Sequence, residues 1–268
     1  MAVRDEAIAI VVDGQRIPGT LVAPSTVVPG VLFVQGWGSS QEQYLARARE
    51  IAALGCVCLT FEPRGVARTD PRHDTVTREE NLRDVLAAYD ALAGQEAVDA
   101  SAIAVVGSSY GAYLAAILSS LRPVRWLALR VPALYRDEDW AVPKARLDRE
   151  ELAAYRRGPV AAEENRALGA CAAFRGDVLI VESEHDDTIP PPVIANYRAA
   201  FERAHSLTYR VIGGADHALS EEPWQQAYTS LLVRWAAEMV LGAREGGTAP
   251  AAHTRLQPFP RRGPPTPA

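Results

Sequence analysis

Short apolar runs alternate with longer amphipathic runs along most of this chain. Such alternation is typical of a mostly parallel β-sheet with helices packed on both of its faces. The strands predicted in this region span residues 31–35, 57–62, 102–106, 126–131, 178–183 and 207–212. The predicted helices span about 41–54, 78–92, 113–121, 193–204 and 224–241. The pattern therefore predicts an α/β fold.

The N-terminal region departs from this alternation. Two apolar runs, 6–12 and 16–23, flank the dipeptide Asp13-Gly14. Asp-Gly is a frequent β-hairpin turn, because both positions of the turn require a positive φ. The sheet is therefore predicted to begin with an antiparallel pair and to contain about eight strands.

Two segments fall outside the regular alternation and define the predicted domains. Residues 132–174 separate two neighbouring strands by far more chain than one crossover helix needs, so an inserted cap or lid is predicted there, with helices at about 149–156 and 161–172. Residues 243–268 are dense in proline and lack apolar periodicity, which predicts a disordered tail. The core is then formed by residues 1–131 and 175–242.

Composition limits the possible partners and compartments. The 268 residues are 48% hydrophobic and 23% charged, which is enough to bury a full core, and the formal net charge is -5. A negative charge argues against nucleic acid as a partner, because phosphate neutralisation needs a basic surface. No apolar run is long enough for a membrane span, and the N-terminus does not have the pattern of a signal peptide. A cytoplasmic location is expected.

The sequence Gly107-Ser108-Ser109-Tyr110-Gly111 joins the apolar run 102–106 to the helical run 113–121. A serine on such a tight strand-to-helix turn projects its hydroxyl outward, and glycines on either side allow strand and helix to pass closely. Ser109 is therefore the candidate nucleophile. A serine hydroxyl also needs a base to take its proton and a third group to orient that base.

His217 is the candidate base among the five histidines. It follows the predicted strand 207–212 in a glycine-containing turn. Open α/β sheets place their ligands at the carboxyl ends of strands. Ser109 stands at the end of another strand, so the two side chains are expected to meet there.

The orienting acid is expected in the loop after the predicted strand 178–183. That loop offers Asp186 and the adjacent Asp187, and the residues alone leave the choice between them open. Asp216 is a weaker candidate, since it is the direct neighbour of His217 in sequence and is poorly placed to reach its Nδ1.

Two backbone N–H groups are candidates for an oxyanion hole, whose donors stabilise the negative charge that develops on a carbonyl oxygen. One is the N–H of Tyr110, directly after Ser109 at the start of a helix. The other is the N–H of Trp37, in a loop where Gly36 and Gly38 flank it. An ordinary glycine turn is the alternative interpretation of that loop.

From Pro29 to Leu241 the chain resembles the α/β-hydrolase superfamily. The order Ser109, Asp186, His217 is similar to the family's order of nucleophile, acid and base. Gln35-Gly36-Trp37-Gly38 resembles the oxyanion loop, with glutamine where the family often has histidine, and Glu62-Pro63-Arg64-Gly65 resembles the turn after the next strand.

The resemblance also bears on the choice of acid, since Asp186 precedes Pro190 by the family's usual four residues. It favours Asp186, with Asp187 as the alternative. The short insertion and the serine turn are similar to the dienelactone-hydrolase and prolyl-peptidase branches. What the resemblance implies is a nucleophile elbow and a catalytic triad that cleave a small-molecule acyl substrate through an acyl-enzyme intermediate, without a cofactor. No metal is expected either, because no cluster of cysteine and histidine in the sequence has metal-ligand spacing.

The substrate stays open at this level, because selectivity depends on the cap and the pocket. A carboxylesterase-like enzyme is expected, with a thioesterase, a small peptidase, a perhydrolytic enzyme on the same triad or a ligand-binding module without turnover as alternatives. The candidate substrate-binding residues are Leu134, Tyr135, Trp140 and Trp224. The oligomeric state is not predicted.

Overall fold

The computed structural model of the protein describes residues 4–23 and 28–246. The strands of this part of the chain span Arg4–Val12 (β1), Gln15–Ala23 (β2), Val28–Val34 (β3), Val57–Phe61 (β4), Val98–Ser108 (β5), Trp126–Arg130 (β6), Asp177–Ser183 (β7) and Ser206–Ile212 (β8). The helices span Glu42–Ala52 (α1), Arg78–Ala93 (α2), Tyr110–Leu118 (α3), Arg149–Tyr155 (α4), Arg166–Ala173 (α5), Pro191–Ala200 (α6) and Glu222–Gly246 (α7). Short 3-10 turns lie at Lys144–Arg146 and Ala162–Glu164.

The strands form one sheet in the order β1-β2-β4-β3-β5-β6-β7-β8. β1 is antiparallel to β2 and β2 is antiparallel to β4, whereas all other neighbours are parallel. At the first hairpin Asp13 and Gly14 adopt φ values of 50° and 74°, as the Asp-Gly signal predicts. The prediction of a mostly parallel α/β sheet is confirmed.

Helices cover both faces of the sheet, so the central strands have no face exposed to water. Every residue of β3 and of β4 is buried. One hydrophobic cluster contains side chains of α2, α3, α5 and α6, and a second cluster contains side chains of α1 and α7. This two-sided burial explains why the sequence of these strands is continuously apolar instead of alternating.

The insertion between β6 and β7 contributes to the core as well as to the surface. Ala167, Leu168 and Cys171 of α5 belong to the same buried cluster as α3. α5 is therefore the helix that carries the chain back from β6 to the start of parallel β7. α4, by contrast, has no buried residue. The division into core and cap remains a prediction.

Several element boundaries differ from the sequence prediction. β5 begins at Val98, and α6 begins at Pro191, because proline suits the first turn of a helix, where its missing N–H is not needed. α3 begins at Tyr110, directly after the candidate nucleophile. α7 continues to Gly246, and residues 247–268 of the predicted tail lie outside the described residues.

Gly111 lies where α3 passes over the end of β3. All nine residues of α3 are buried, and a Cβ at Gly111 would collide with the backbone carbonyl oxygens of Val34 and Gln35. The structure thus explains why this position of the serine turn has no side chain.

We predict that Gly111→Ala destabilises the protein by at least about 2 kcal/mol, because the steric overlap outweighs the roughly 0.5–1 kcal/mol that alanine gains over glycine in a helix. Urea unfolding measures the difference. Gly158→Ala is the matched control, since a Cβ there would meet nothing within 4 Å, and its free energy of unfolding should change by less than about 0.5 kcal/mol. Equal effects of the two variants would contradict the steric argument.

Candidate active site

Ser109 occupies the turn between β5 and α3 in a strained backbone conformation. Its φ is 51°, which non-glycine residues rarely adopt. Its N–H donates to the carbonyl of Arg130 at 2.8 Å, and its own carbonyl accepts from the N–H of Ala133 at 3.1 Å. These bonds to the end of β6 and the segment after it hold the turn in place. The neighbouring Ser108 is buried, and its Oγ accepts from Arg130 Nε at 3.0 Å.

His217 lies in the loop between β8 and α7 and contacts both predicted partners. Its Nε2 is 3.0 Å from Ser109 Oγ, and its Nδ1 is 2.7 Å from Asp186 Oδ2. The carbonyl of His217 accepts from Arg130 Nη2 at 2.9 Å. The imidazole is therefore held between a hydroxyl and a carboxylate, in the geometry that deprotonation of a serine requires.

Asp186 is placed differently from the two other candidate acids. Its side chain is only 4% exposed, and its Oδ1 accepts from the backbone N–H groups of Thr188 and Ile189 at 2.9 and 2.7 Å. Asp187 is exposed and accepts from the Thr188 hydroxyl at 3.1 Å. Asp216 accepts from the backbone N–H of Ser220 at 3.0 Å, within its own turn. Of the three carboxylates, the structure brings Asp186 to His217.

The loop after β3 is braced against the serine turn. The N–H of Gly36 donates to the Tyr44 hydroxyl at 3.0 Å, and the hydroxyl of Ser39 donates to the carbonyl of Gly36 at 2.7 Å. A Cβ at Gly36 would lie 3.6 Å from the Cβ of Ser109. Tyr44 and Ser39 thus hold this loop in place. Within it, Gln35 occupies the position where α/β-hydrolases often have histidine.

The backbone N–H groups of Trp37 and Tyr110 are both next to this contact. Tyr110 is the first residue of α3, so its N–H has no acceptor within the helix. The two aromatic rings meet edge to face, with their centroids 5.4 Å apart. Buried Tyr110 also donates from its hydroxyl to Asn81 Oδ1 at 2.8 Å, which fixes the ring under the loop.

Ser109 and His217 open onto a cleft of about 240 Å³. Its walls combine the serine turn, the loop after β3, the start of α1 and the loop after β8. The lining residues are Gly36, Trp37, Gly38, Ser39, Gln43, Tyr44, Arg68, Ser108, Ser109, Arg130, His217 and Ala218. Sequence reasoning missed Arg68, Arg130 and Tyr44, because no motif marks them and only the tertiary fold brings them to the serine.

The four predicted substrate-binding residues do not line this cleft. Leu134 and Tyr135 are buried in the core beneath it, at 0% and 3% exposure. Trp140 packs against the guanidinium groups of Arg78 and Arg166 in the insertion. Trp224 is half-buried, and its Nε1 would lie 3.7 Å from a Cβ at Gly214, in the loop that carries His217.

Lys144 is a further residue that no sequence motif indicates. Its Nζ lies 4.3 Å from the centre of the Trp37 ring, 5.4 Å from that of Tyr110 and 5.8 Å from that of Tyr135. Burial lowers the pKa of the Lys144 ammonium. Through this cation–π contact the insertion packs directly against the loop after β3.

The described part of the chain contains neither a candidate metal centre nor a candidate membrane span. Across residues 4–23 and 28–246, no three histidine, cysteine, aspartate or glutamate side chains form a group that is able to hold a metal ion. In the same part of the chain, no helix combines the length and the apolar character needed to cross a membrane.

Comparison of the sequence with protein families and curated proteins gives two findings. The profile of the prolyl oligopeptidase family matches residues 41–242. Two relatives, both described as uncharacterized proteins of Mycobacterium tuberculosis strains, are 28% identical over 208 residues, which is 76% of this chain and 69% of each relative.

Comparison with solved structures confirms the fold. A dienelactone hydrolase from Anabaena variabilis has a TM-score of 0.61 at 19% identity, covering 87% of this chain and 96% of its own. Est1E from Butyrivibrio proteoclasticus, solved with ferulic acid bound, has a TM-score of 0.67 at 16% identity and covers 89% and 100%. An acylaminoacyl peptidase from Pyrococcus horikoshii has a TM-score of 0.68 at 13% identity and covers 90% and 42%.

We predict that Tyr44→Phe lowers the free energy of unfolding by about 1–2 kcal/mol, since it leaves the buried N–H of Gly36 without its acceptor. Tyr113→Phe is the matched control. The Tyr113 hydroxyl is buried without a hydrogen-bond partner among the described residues, so its removal should be neutral or stabilising. Urea unfolding of both variants measures the difference, and a neutral Tyr44→Phe would contradict the bracing role.

Proposed function

Because the chain belongs to the prolyl oligopeptidase family, we propose that this hydrolase cleaves an ester-type acyl bond through a triad of Ser109, His217 and Asp186. The observation that carries the proposal is the unbroken chain of contacts from carboxylate to imidazole to hydroxyl, 2.7 and 3.0 Å long. Ser109 follows β5, Asp186 follows β7 and His217 follows β8, so all three lie at the carboxyl edge of the sheet.

In the first step, Ser109 Oγ attacks the carbonyl carbon of the substrate while His217 Nε2 takes the hydroxyl proton. Asp186 keeps the proton of His217 on Nδ1 and stabilises the imidazolium that forms. Its second oxygen is held by two backbone N–H groups, so the carboxylate does not need to reorganise during the reaction.

The negative charge that develops on the carbonyl oxygen requires donors that are already in place. We assign this role to the backbone N–H groups of Trp37 and Tyr110. The contact of Gly36 with the serine turn supports the assignment, because it brings the two loops together. The position of Tyr110 at the N-terminus of α3 adds the favourable end of the helix dipole.

Collapse of the tetrahedral intermediate then expels the leaving group, which receives its proton from His217. The acyl group remains on Ser109 until a water molecule, deprotonated by the same imidazole, releases it as a carboxylic acid. These steps need no group beyond the triad, the two N–H donors and water.

We include a cytoplasmic location in the proposal, because the three cysteines are free and buried.

A peptidase activity on the same triad is the second candidate function. It is favoured by the family profile and by the similarity in fold to the acylaminoacyl peptidase. A cleft of about 240 Å³ favours a small acyl substrate over a long peptide. A binding module without turnover is the remaining alternative, and the intact contacts of Ser109 with His217 argue against it.

We predict that the protein hydrolyses p-nitrophenyl esters and that Ser109→Ala lowers kcat/KM by more than about a thousandfold, because no other group replaces the attacking oxygen. A fluorophosphonate probe should label the wild type and leave Ser109→Ala unlabelled. Ser101→Ala is the control, since Ser101 is an exposed residue of β5 outside the cleft, and it should keep both activity and labelling.

The substrate panel separates the candidate functions. It contains p-nitrophenyl esters of rising chain length, a thioester and a proline-containing p-nitroanilide. A kcat/KM that is tenfold higher for the anilide than for the esters would contradict the proposed esterase and favour a peptidase. Absence of labelling, together with absence of turnover on every member, would favour the binding module.

We predict that Asp186→Asn lowers kcat by about 10³–10⁴, because the amide presents its NH₂ group to Nδ1 and stabilises the wrong tautomer of His217. Asp187→Asn makes the same chemical change one residue away, at an exposed side chain, and should alter kcat by less than about threefold. Circular dichroism verifies that both variants fold. The reverse order of the two effects would move the acid to Asp187.

A further inference from the structure

The cleft above Ser109 is positively charged although the protein as a whole is acidic. Its basic lining residues are Arg68, Arg130 and His217, and no aspartate or glutamate is among the residues that line it. Over the whole chain, by contrast, 33 acidic residues outnumber 28 lysines and arginines. This local concentration of positive charge attracts an anionic group more strongly than a neutral one.

Arg130 contributes charge to the floor of the cleft, but each of its three guanidinium nitrogens already donates a hydrogen bond within the protein. It is 7% exposed and donates to the hydroxyls of Ser108 and Ser183 and to the carbonyl of His217, at 3.0, 3.4 and 2.9 Å. Its role is therefore to hold the loops that carry the candidate triad. It also provides a positive potential to the cleft.

Arg68 is in the opposite situation. Its side chain is exposed and lies along the loop after β3, where a Cβ at Gly38 would be 3.0 Å from its Nε and 3.4 Å from its Cγ. It forms no salt bridge with any residue in the described ranges 4–23 and 28–246. The guanidinium thus stands on the wall of the cleft with its donors available.

This lack of a partner contrasts with several other arginines. Exposed or half-buried guanidinium groups elsewhere have carboxylates within 2.5–2.7 Å, namely Arg49 with Asp5, Arg72 with Glu80 and Arg122 with Asp90. Lys144 adds positive charge behind the lining residue Trp37, with its Nζ 4.3 Å from the centre of the Trp37 ring. Arg68 therefore lines the same cleft as Ser109 and forms no ion pair with a carboxylate of the described residues.

Resting on the proposed function, we propose that the substrate of this hydrolase carries an anionic group, a carboxylate, and that Arg68 binds it. The planar guanidinium presents parallel N–H donors that match the two oxygens of a carboxylate. Since Arg68 lies over Gly38, next to Trp37, the anionic group is placed beside the loop after β3.

The carboxylate belongs either to the acyl part or to the leaving group of the substrate, and two pairs of probes distinguish these positions. For the acyl side, p-nitrophenyl hydrogen glutarate is compared with its neutral isostere p-nitrophenyl 5-methylhexanoate. For the leaving-group side, p-carboxyphenyl butyrate is compared with p-carbamoylphenyl butyrate. Spontaneous hydrolysis is subtracted in all assays.

We expect the wild type to prefer the carboxylate in one of the two pairs. Arg68→Gln should lower kcat/KM for that probe by about tenfold or more, mainly through KM, and change the neutral partner by less than about twofold. Arg68→Lys should restore part of the loss, and high salt should reduce the preference of the wild type. Arg203→Gln is the control, because exposed Arg203 precedes β8 at the opposite edge of the sheet.

Two results would overturn the proposal. One is a wild type without preference for the carboxylate in either pair. The other is an equal loss on charged and neutral probes in Arg68→Gln, which would show a structural role of the side chain.

A binding measurement keeps this inference separable from the proposed function. Calorimetry compares the binding of monomethyl glutarate with that of dimethyl glutarate. The two proteins are Ser109→Ala and the double variant Ser109→Ala/Arg68→Gln. Binding of the monoester that depends on Arg68, together with a wild type that hydrolyses none of the esters, would disprove the esterase and retain the anion site. Ester hydrolysis without any such binding or preference would retain the esterase and disprove the anion site.

Discussion

The close approach of three backbone segments around Ser109 is the constraint on which the site depends. A Cβ at Gly107 would lie 2.5 Å from the Cα of Ala112, and one at Gly111 would collide with the end of β3. The absence of side chains lets β5, α3 and the loop after β3 meet at one point. The positive φ of Ser109 costs of order 1–3 kcal/mol, and it persists because the surrounding backbone leaves the turn no room to relax.

A single buried cation then connects this turn to the rest of the candidate site. Arg130, the last residue of β6, donates to Ser108 in β5, to Ser183 in β7 and to the carbonyl of His217. Removing a guanidinium from water is costly, and these hydrogen bonds offset part of that cost. The consequence is geometric, because the loops that carry the serine, the acid and the histidine share one rigid partner. No sequence pattern indicates this residue, since its importance follows from which strands become neighbours.

The sequence predicted those parts of the site that depend on local chemistry and strand order. A glycine-flanked serine between a strand and a helix, and a histidine after a later strand, are visible in one dimension because parallel strands end at the same edge. Strand order does not separate adjacent aspartates, whereas the structure distinguishes Asp186 by its contact with His217 and by the backbone N–H donors of Thr188 and Ile189. Leu134 and Tyr135 were assigned to the pocket on their type and position, but aromatic and aliphatic side chains near a strand end gain more by entering the core. Arg68 and Lys144 lie in irregular segments whose course no periodicity predicts.

The difference between the residues that the sequence predicts and those that it misses has a physical reason, and this reason bears on selectivity. The proposed reacting groups sit at the ends of buried strands, where packing fixes positions to fractions of an ångström and a substitution is felt throughout the core. Arg68, which adds charge to the wall of the cleft, sits on a loop, and it can change without cost to the sheet. Lys144 connects the insertion with the loop after β3, since it belongs to the insertion and lies over Trp37. A shift of the insertion would therefore act through one cation–π contact on the loop after β3, which carries the proposed oxyanion donor Trp37.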